Sequence, residues 1–379
     1  MSASLILAMA CPKRFGMASF PMGPRVAGHA TGRALGGSMT TLRDLSRHLG
    51  LSVTQVSRAL NNHADVSADT RERVHRVARE LGYQPNVSAR RLVTGRSGML
   101  GLVLPGIPAE AENAMFVQIV GTLSQHLARM GRPFVLHIAD PAEDVLDAYR
   151  RLTASGAIDG FVLLDPEIRD RRVAFLRTAD VPFVIHGRIE EPHDYPFYDI
   201  DNRGVAERLT GLLTAAGHRR IAFLNGPKRR TYAVSRLHGY RAALARAGVA
   251  EEAGLHRFGP MTEGEGLLAG VALWGEGGPR PTAVVCGNSR LAAGLLRAFD
   301  ALGLRVPRDV SVVVHDDELP GVRPQAFDPP LTATWSPLAL GWPHLAQILA
   351  AAVDGAALPA LQVQGEVGLV ERASVRSVS

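Results

Sequence analysis

Residues 41–61 read TLRDLSRHLGLSVTQVSRALN, and this stretch decides the fold of the amino-terminal part of the chain. Thr41 and Asp44 have the spacing of a capping box, in which each side chain bonds the backbone N–H of the other residue. Apolar residues then follow at helical intervals: Leu42, Leu45 and Leu49. The pattern predicts a first helix that ends at about Leu49.

A second helix is predicted directly after the first. Gly50 suits a helix C-cap or a tight turn, and Ser52 and Gln55 repeat the capping-box spacing. The apolar face of this second helix continues in Val56, Ala59 and Leu60. The stretch therefore predicts a helix, a turn and a helix.

A third helix, with Ser67 as its N-cap and Gly82 at its end, completes a compact all-α head assigned to residues 39–84. Residues 1–38 show neither helical nor strand periodicity, so we predict a disordered leader or a start codon placed too early. Residues 85–97 offer only about two helical turns, which are marginal in isolation. We expect this hinge and linker to become ordered only on a partner.

Positive charge is concentrated at the amino-terminal end. Residues 40–96 hold ten Arg and five acidic residues, and residues 1–39 hold four basic residues and no acidic one. Since the whole chain carries +6, the remainder carries −3. A basic head on a mildly acidic body indicates a polyanionic partner, most simply nucleic acid.

The composition excludes several other classes of protein. With 46% apolar and 21% charged residues, the chain has no apolar stretch long enough for a membrane span and no secretory signal pattern. Its two cysteines, Cys11 and Cys286, give neither a disulfide framework nor a metal-ligand cluster. We therefore predict a cytoplasmic protein with no membrane partner, no metal and no cofactor.

The body, residues 98–379, alternates short apolar runs with helical stretches. Such runs are typical of buried parallel strands: Leu100–Leu104, Phe134–Ile138, Phe161–Leu164, Phe183–Ile185, Ile221–Leu224, Ala283–Cys286 and Val310–Val314. The helices predicted between them include Phe116–Met130, Val205–Ala216 and Leu237–Ala247. The fold class is therefore α/β, with two doubly wound parallel-sheet lobes and a cleft between them.

The second helix of the head has the properties of a DNA-reading element. A helix fits the major groove, and side chains near its amino end then reach base edges. Arg58 could make a bidentate contact to guanine, Thr54 could donate or accept a hydrogen bond, and Val53 could pack on a thymine methyl group. An ordinary helical hairpin would show the same spacing. The position of the segment near the start of the chain and its positive charge favour DNA binding.

These residues resemble the signature of the LacI/GalR family of repressors, and the resemblance covers essentially everything from Met39 onward. In the head it is carried by Thr41-Leu-Arg-Asp44, Gly50-Leu-Ser52, Val56-Ser57-Arg58, Thr70-Arg71-Glu72, Leu81-Gly82-Tyr83, Ala89-Arg-Arg-Leu92 and Gly95-Arg96-Ser97. In the body it is carried by Asp201-Asn202, Gly217-His218-Arg219, Gly239-Tyr240, Pro281-Thr282-Ala283 and Asp316-Asp317.

The resemblance implies a homodimer that reads a palindromic, double-stranded DNA operator with two recognition helices. It also implies that Asn86–Val93 becomes a hinge helix in the minor groove, with Leu92 wedged between base steps. The residues expected at the DNA are Thr41, Ser52, Val53, Thr54, Gln55, Ser57, Arg58, Asn61, Tyr83, Asn86, Ala89 and Leu92. No catalytic residue is expected.

For the body, the resemblance implies lobes of the periplasmic-binding-protein type that bind a small effector. The lobe limits are placed at about 98–198 with 332–353, and at about 199–331 with 354–375. His186, Arg188, Asn288 and Asp316 follow predicted strands, and ligands bind at the carboxyl ends of such strands, so we expect these four residues to contact the effector. The resemblance adds Phe116 and Arg236 to the expected effector contacts. Similarity to regulators of α-glucoside use suggests a sugar, although the same side chains also suit purines.

Two other functional classes share the α/β body. An enzyme is disfavoured, because the sequence has no P-loop, nucleophile elbow or zinc-binding helix. A two-lobed small-molecule binding protein without DNA readout would show the same body, but the basic head argues against it. The sequence leaves open the effector, the operator, and whether the protein represses or activates transcription.

Overall fold

The structure is a computed structural model that describes residues 40–60, 63, 65–83, 96–106, 113–189, 191–275 and 279–378. The chain divides into two compact units between Pro85 and Asn86. The predicted leader 1–38 and most of the predicted hinge 85–97 lie outside the described residues.

The amino-terminal unit contains three helices, α1 (Leu42–Leu49), α2 (Val53–Leu60) and α3 (Ala68–Glu80), in its described residues. The predicted capping box of α1 is present in full, and Gly50 closes the helix at φ 66°, a conformation that favours glycine. The small core of this unit is fully buried at Leu45, Val56, Ala59 and Val74. The predicted helix-turn-helix head is therefore confirmed.

The body contains two sheets, each six-stranded in the described residues. The first has the order β11-β5-β4-β3-β1-β2 and is parallel throughout. Its strands are β1 (Leu100–Leu104), β2 (Phe134–Ile138), β3 (Gly160–Leu163), β4 (Phe183–His186), β5 (Phe197–Ile200) and β11 (Gln362–Gly365). This sheet forms the first lobe.

The second lobe has the strand order β12-β10-β9-β8-β6-β7, in which only the described pair β10–β12 runs antiparallel. Its strands are β6 (Ile221–Asn225), β7 (His256–Phe258), β8 (Ala283–Cys286), β9 (Ser311–Asp316), β10 (Thr332–Trp335) and β12 (Gly368–Val370). The central strands are buried on both faces, which explains why they read as continuous apolar runs. The predicted α/β class with two parallel-sheet lobes is confirmed.

Helices cover both faces of each sheet. In the first lobe they are α4 (Asn113–Arg129), α5 (Val145–Ala154), α6 (Arg171–Thr178) and α11 (Gly341–Val353). In the second lobe they are α7 (Asn202–Ala215), α8 (Thr231–Arg246), α9 (Glu263–Trp274) and α10 (Ser289–Leu302). The largest core of the first lobe joins α4 to α11 through side chains such as Leu123, Leu127, Leu345 and Leu349.

The chain crosses between the lobes three times, and the crossings differ from the predicted lobe limits. Strand β5 belongs entirely to the first sheet, although the predicted boundary at 198/199 cuts through it. Strand β10 belongs to the second sheet, so residues 332–335 lie in the other lobe from the one predicted. Strand β11 returns to the first sheet and β12 to the second. These strands are short or carry polar residues, so their periodicity gave no signal.

Candidate functional site

The side of α2 that faces away from the head core carries the residues predicted to read DNA. Val56 and Ala59 of this helix are fully buried, whereas Thr54, Gln55 and Arg58 are exposed and Val53 keeps 42% of its surface accessible. An exposed valine at the amino end of a short helix gains nothing from the core, so its apolar surface is available to a partner. The helix therefore presents one continuous face to solvent.

Arg58 is held by an acidic residue on this face. One of its Nη atoms lies 2.6 Å from a carboxylate oxygen of Asp65, and both side chains are about half exposed. The hydrogen bond from Arg58 lowers the pKa of Asp65, so the pair is charged near neutral pH. The contact occupies one Nη of the guanidinium, so a bidentate contact through that nitrogen to another acceptor competes with the ion pair to Asp65.

Other predicted DNA contacts have structural partners within the head. Thr41 accepts from the backbone N–H of Asp44, and the Ser52 hydroxyl accepts from the backbone N–H of Gln55. Tyr83 is half-buried against the head core, and Ser57 is half-buried on α2. Four further predicted contacts lie outside the described residues: Asn61, Asn86, Ala89 and Leu92.

In the body, a cavity of about 550 Å³ lies between the two lobes, at the carboxyl ends of both sheets. Its polar lining includes His186 and Asp199 from the first lobe and Arg236, Asn288 and Asp317 from the second. Its apolar lining includes Met115, Ile119, Leu164, Leu319, Leu338 and Trp342. A mostly apolar cleft with a few convergent charged groups is the usual form of a small-molecule site.

Arg236 on α8 is the centre of a buried hydrogen-bond network. Only 6% of Arg236 is exposed, and its guanidinium donates to Oδ1 of Asn202 at 2.9 Å and to the carbonyl of Gly287 at 2.8 Å. Asn202 in turn donates to Asp199, which also accepts from Nε of Arg188 at 2.8 Å. The network fixes the orientation of Arg236 at the cleft, so little side-chain entropy remains to be lost on ligand binding.

Asp317 follows β9 and carries an unsatisfied acceptor. Its Oδ1 is buried and has no hydrogen-bond partner among the described residues. Burial raises the pKa of this carboxyl group to about 6, although the positive charge of Arg236 opposes the shift. A buried acceptor without a partner costs free energy, and a ligand hydroxyl that donates to it recovers that cost.

Aromatic side chains form the wall of the cleft on the first lobe. The ring of His186 stacks with that of Tyr198 at 6.1 Å between centroids, and it lies 4.9 Å from the ring of Trp342. Burial lowers the pKa of His186 to about 4, so this wall is uncharged near neutral pH. The indole N–H of Trp342 is buried and meets no acceptor in the part of the chain that the structure describes. Such a wall suits the apolar face of a ring-shaped polar ligand.

The six predicted effector residues occupy different positions relative to the cleft. His186, Arg236 and Asn288 line it, but both polar atoms of Asn288 are already bonded, to Leu291 N–H and to the carbonyl of Met261. The other three lie outside the described lining. Arg188 acts behind it through Asp199.

Two predictions shift to neighbouring residues. Asp316 is the last residue of β9 and accepts from the backbone N–H of Glu318, whereas the cleft is lined by Asp317. Phe116 on α4 is half-buried beside Met115, which does line the cleft. In both cases the predicted residue and the neighbour that lines the cleft belong to the same part of the chain, because a sequence run does not fix where a strand ends or which way a helix is rotated.

The chain was compared with known proteins. A family model described as "Bacterial regulatory proteins, lacI family" matches residues 41–86, and one described as "Periplasmic binding protein-like domain" matches residues 210–375. The HTH-type transcriptional regulator AglR of Rhizobium meliloti (strain 1021) is 38% identical over 309 residues, which cover 81% of this chain and 86% of AglR.

Two solved structures are similar over nearly their full lengths. A CelR–cellobiose complex shares 30% identity at a TM-score of 0.65, covering 88% of this chain and 99% of CelR. The lac repressor dimer bound to operator and the anti-inducer ONPF shares 26% identity at a TM-score of 0.68, covering 90% and 100%. No helix among the described residues is long and apolar enough to span a bilayer. With its helix-turn-helix head and two-lobed body, the chain belongs to the LacI family of bacterial transcription regulators.

Proposed function

We propose that the protein is a dimeric repressor of the cytoplasm that reads a palindromic operator with α2 and changes its DNA affinity when a sugar binds in the cleft between the lobes. Two observations carry this proposal: α2 presents an exposed polar face in the head, and the cleft in the body holds a buried carboxylate oxygen, Asp317 Oδ1, that has no hydrogen-bond partner among the described residues. The names of the relatives, all transcription regulators, support a regulatory rather than a catalytic role.

DNA readout is tested by Arg58→Ala. Base contacts specify a sequence and phosphate contacts position the protein, so Arg58→Ala should lose operator selection while keeping most non-specific affinity. The measurement is selection from a random duplex library, followed by gel shifts at fixed salt. Arg79→Ala, which changes an exposed arginine on α3, serves as the matched control. If Arg58→Ala enriches the same sequence as the wild type, Arg58 does not contribute to the readout.

The sugar assignment is supported by the chemistry of the cleft. Asp317 and Arg236 offer a charged acceptor and donor for hydroxyl groups, and Trp342 and Tyr198 offer flat apolar surfaces. The cavity has room for more than one sugar ring. The similar CelR structure is a complex with cellobiose.

Calorimetric titration with cellobiose, maltose, sucrose and a purine base tests this assignment. At least one of the sugars should bind, and Asp317→Ala should weaken its binding about ten- to a hundredfold, the usual value of one charge-assisted hydrogen bond. Asp300→Ala, an exposed change on α10, is the control. Binding of the purine alone would contradict the sugar assignment.

The dimer is supported by exposed apolar side chains on the outside of the body. On α9, Leu268 and Val271 keep 64% and 49% of their surface exposed, and on α4 Val117 keeps 66%. Twofold pairing of such faces would bring two heads to two half-sites of a palindrome. Sedimentation of Leu268→Glu should give a monomer with weakened operator affinity, whereas an unchanged dimer would exclude this face.

A further inference from the structure

Two loops, one from each lobe, join across the edge of the cleft. Residues 165–168 follow β3 in the first lobe, and residues 229–231 lead into the first residue of α8 in the second. The backbone N–H of Ile168 donates to the carbonyl of Arg229 at 3.1 Å, and that of Thr231 donates to the carbonyl of Pro166 at 3.3 Å. Glu167 and Arg230 form an antiparallel bridge between these bonds. We call residues 165–168 and 229–231 the clasp.

Ion pairs reinforce the backbone bonds of the clasp. Nε of Arg229 lies 2.9 Å from a carboxylate oxygen of Glu167, and Arg230 lies 3.4 Å from the same oxygen. Arg230 also pairs with Asp165 at 2.9 Å and donates to its carbonyl at 2.5 Å. Both arginines and Asp165 line the cleft, whereas Glu167 is not among its described lining residues. Glu167 therefore reaches the cleft only through the two arginines.

We propose that Glu167 is a positioning residue for effector binding: it holds Arg229 and Arg230 and thereby keeps the two lobes together across the cleft before a ligand enters. The inference rests on the proposed effector cleft. Every ion pair of the clasp joins one lobe to the other, so each is lost when the lobes separate and regained when they close. Ion pairs within one lobe, such as that of Arg241 with Glu251, stay formed whether the lobes are joined or separated.

The expected size of the effect follows from exposure. These side chains are partly exposed, and each such pair shifts an equilibrium by only about 1.5- to 5-fold. Reversing the charge of Glu167 removes two pairs, so the ratio of joined to separated lobes should fall by about two- to 25-fold. Because exposed pairs are screened by salt, 1 M NaCl should reduce the difference between wild type and variant.

The experiment measures the distance between the lobes without any ligand. Spin labels at Ala154→Cys on α5 and Ala245→Cys on α8, both exposed, report this distance by pulsed dipolar spectroscopy in a Cys11→Ser background. Cys286 is fully buried and stays unlabelled in the native protein. Since no ligand is added, the measurement is valid even if no sugar binds and the proposed function fails.

Three variants decide the outcome. Glu167→Arg should increase the population with long distances, and the double variant Glu167→Arg with Arg229→Glu should restore the short distance by pairing the reversed charges. Glu251→Arg, the same change on a pair within the second lobe, should leave the distribution unchanged. If Glu167→Arg leaves the distance unchanged, or if the charge swap does not restore it, the clasp does not hold the lobes and the proposal is wrong.

Discussion

Replacing Asp317 by asparagine should make the protein more stable near neutral pH while it weakens effector binding. The carboxyl group is buried beside Arg236, its Oδ1 has no hydrogen-bond partner within the described ranges, and burial raises its pKa to about 6. Asparagine has nearly the same size but carries no charge, so it removes the cost of burying the carboxylate. The buried carboxylate thus lowers the stability of the fold and at the same time provides a hydrogen-bond acceptor for the effector.

The sign and size follow from the pKa. A carboxyl group whose pKa is raised in the folded state holds its proton while the unfolded chain loses it, so stability falls as pH rises from about 4 to about 6. The rise in the pKa of Asp317 from 3.8 to about 6 corresponds to a loss of about 3 kcal/mol of unfolding free energy at neutral pH. About half of this loss of unfolding free energy occurs between pH 5 and pH 7.5.

Urea unfolding of wild type and Asp317→Asn at pH 5 and pH 7.5 measures this effect. The variant should be the more stable protein at pH 7.5, and its advantage in unfolding free energy should exceed that at pH 5 by about 1 kcal/mol. Asp300→Asn controls for the chemical change at an exposed position. An advantage that is equal at both pH values, or a variant less stable than wild type at pH 7.5, would refute the argument that Asp317 carries a burial cost.

Three further outcomes are expected. Gly239→Ala should lower the unfolding free energy by about 1–3 kcal/mol or more, because the added Cβ would lie 2.0 Å from the carbonyl oxygen of Arg203. Gly211→Ala is the control, since its Cβ would meet no atom within 4 Å and should not lower the unfolding free energy; thermal unfolding compares the two variants. Thr41→Ala should cost α1 about 1 kcal/mol through its lost cap, seen as faster amide exchange in that helix. Cys286, which is fully buried with a raised thiol pKa, should react with a thiol reagent only after unfolding.

The head could be predicted almost to the residue from its sequence. Its helix ends are local events: Thr41 and Ser67 cap helices, and Gly50 ends one in a left-handed conformation, so the information lies within four residues of each boundary. The apolar positions of such short helices leave few ways to form one core. Local chemistry and the final fold therefore agree.

The cleft could be predicted only in part. The apolar runs of the sequence predicted the central strands, and the rule that ligands bind at strand ends pointed to His186 and Asn288, both of which line the cleft. The rule pointed to Asp316, whereas Asp317 lines the cleft, since β9 extends two residues beyond its apolar run. Nothing in the sequence indicated that Trp342 lines the cleft, because α11 reaches the cleft through a crossing between the lobes that only the tertiary fold defines.

The three crossings between the lobes constrain how the protein can be made. Helix α11, which supplies a large share of the first lobe's core, and the edge strand β11 come from residues 341–365, far along the chain from β1. During synthesis the first lobe therefore remains incomplete until almost all of the second lobe has been translated. The head can fold early, but neither lobe can be cut out as one continuous segment, so exchange of sensors between relatives has to transfer the whole body together.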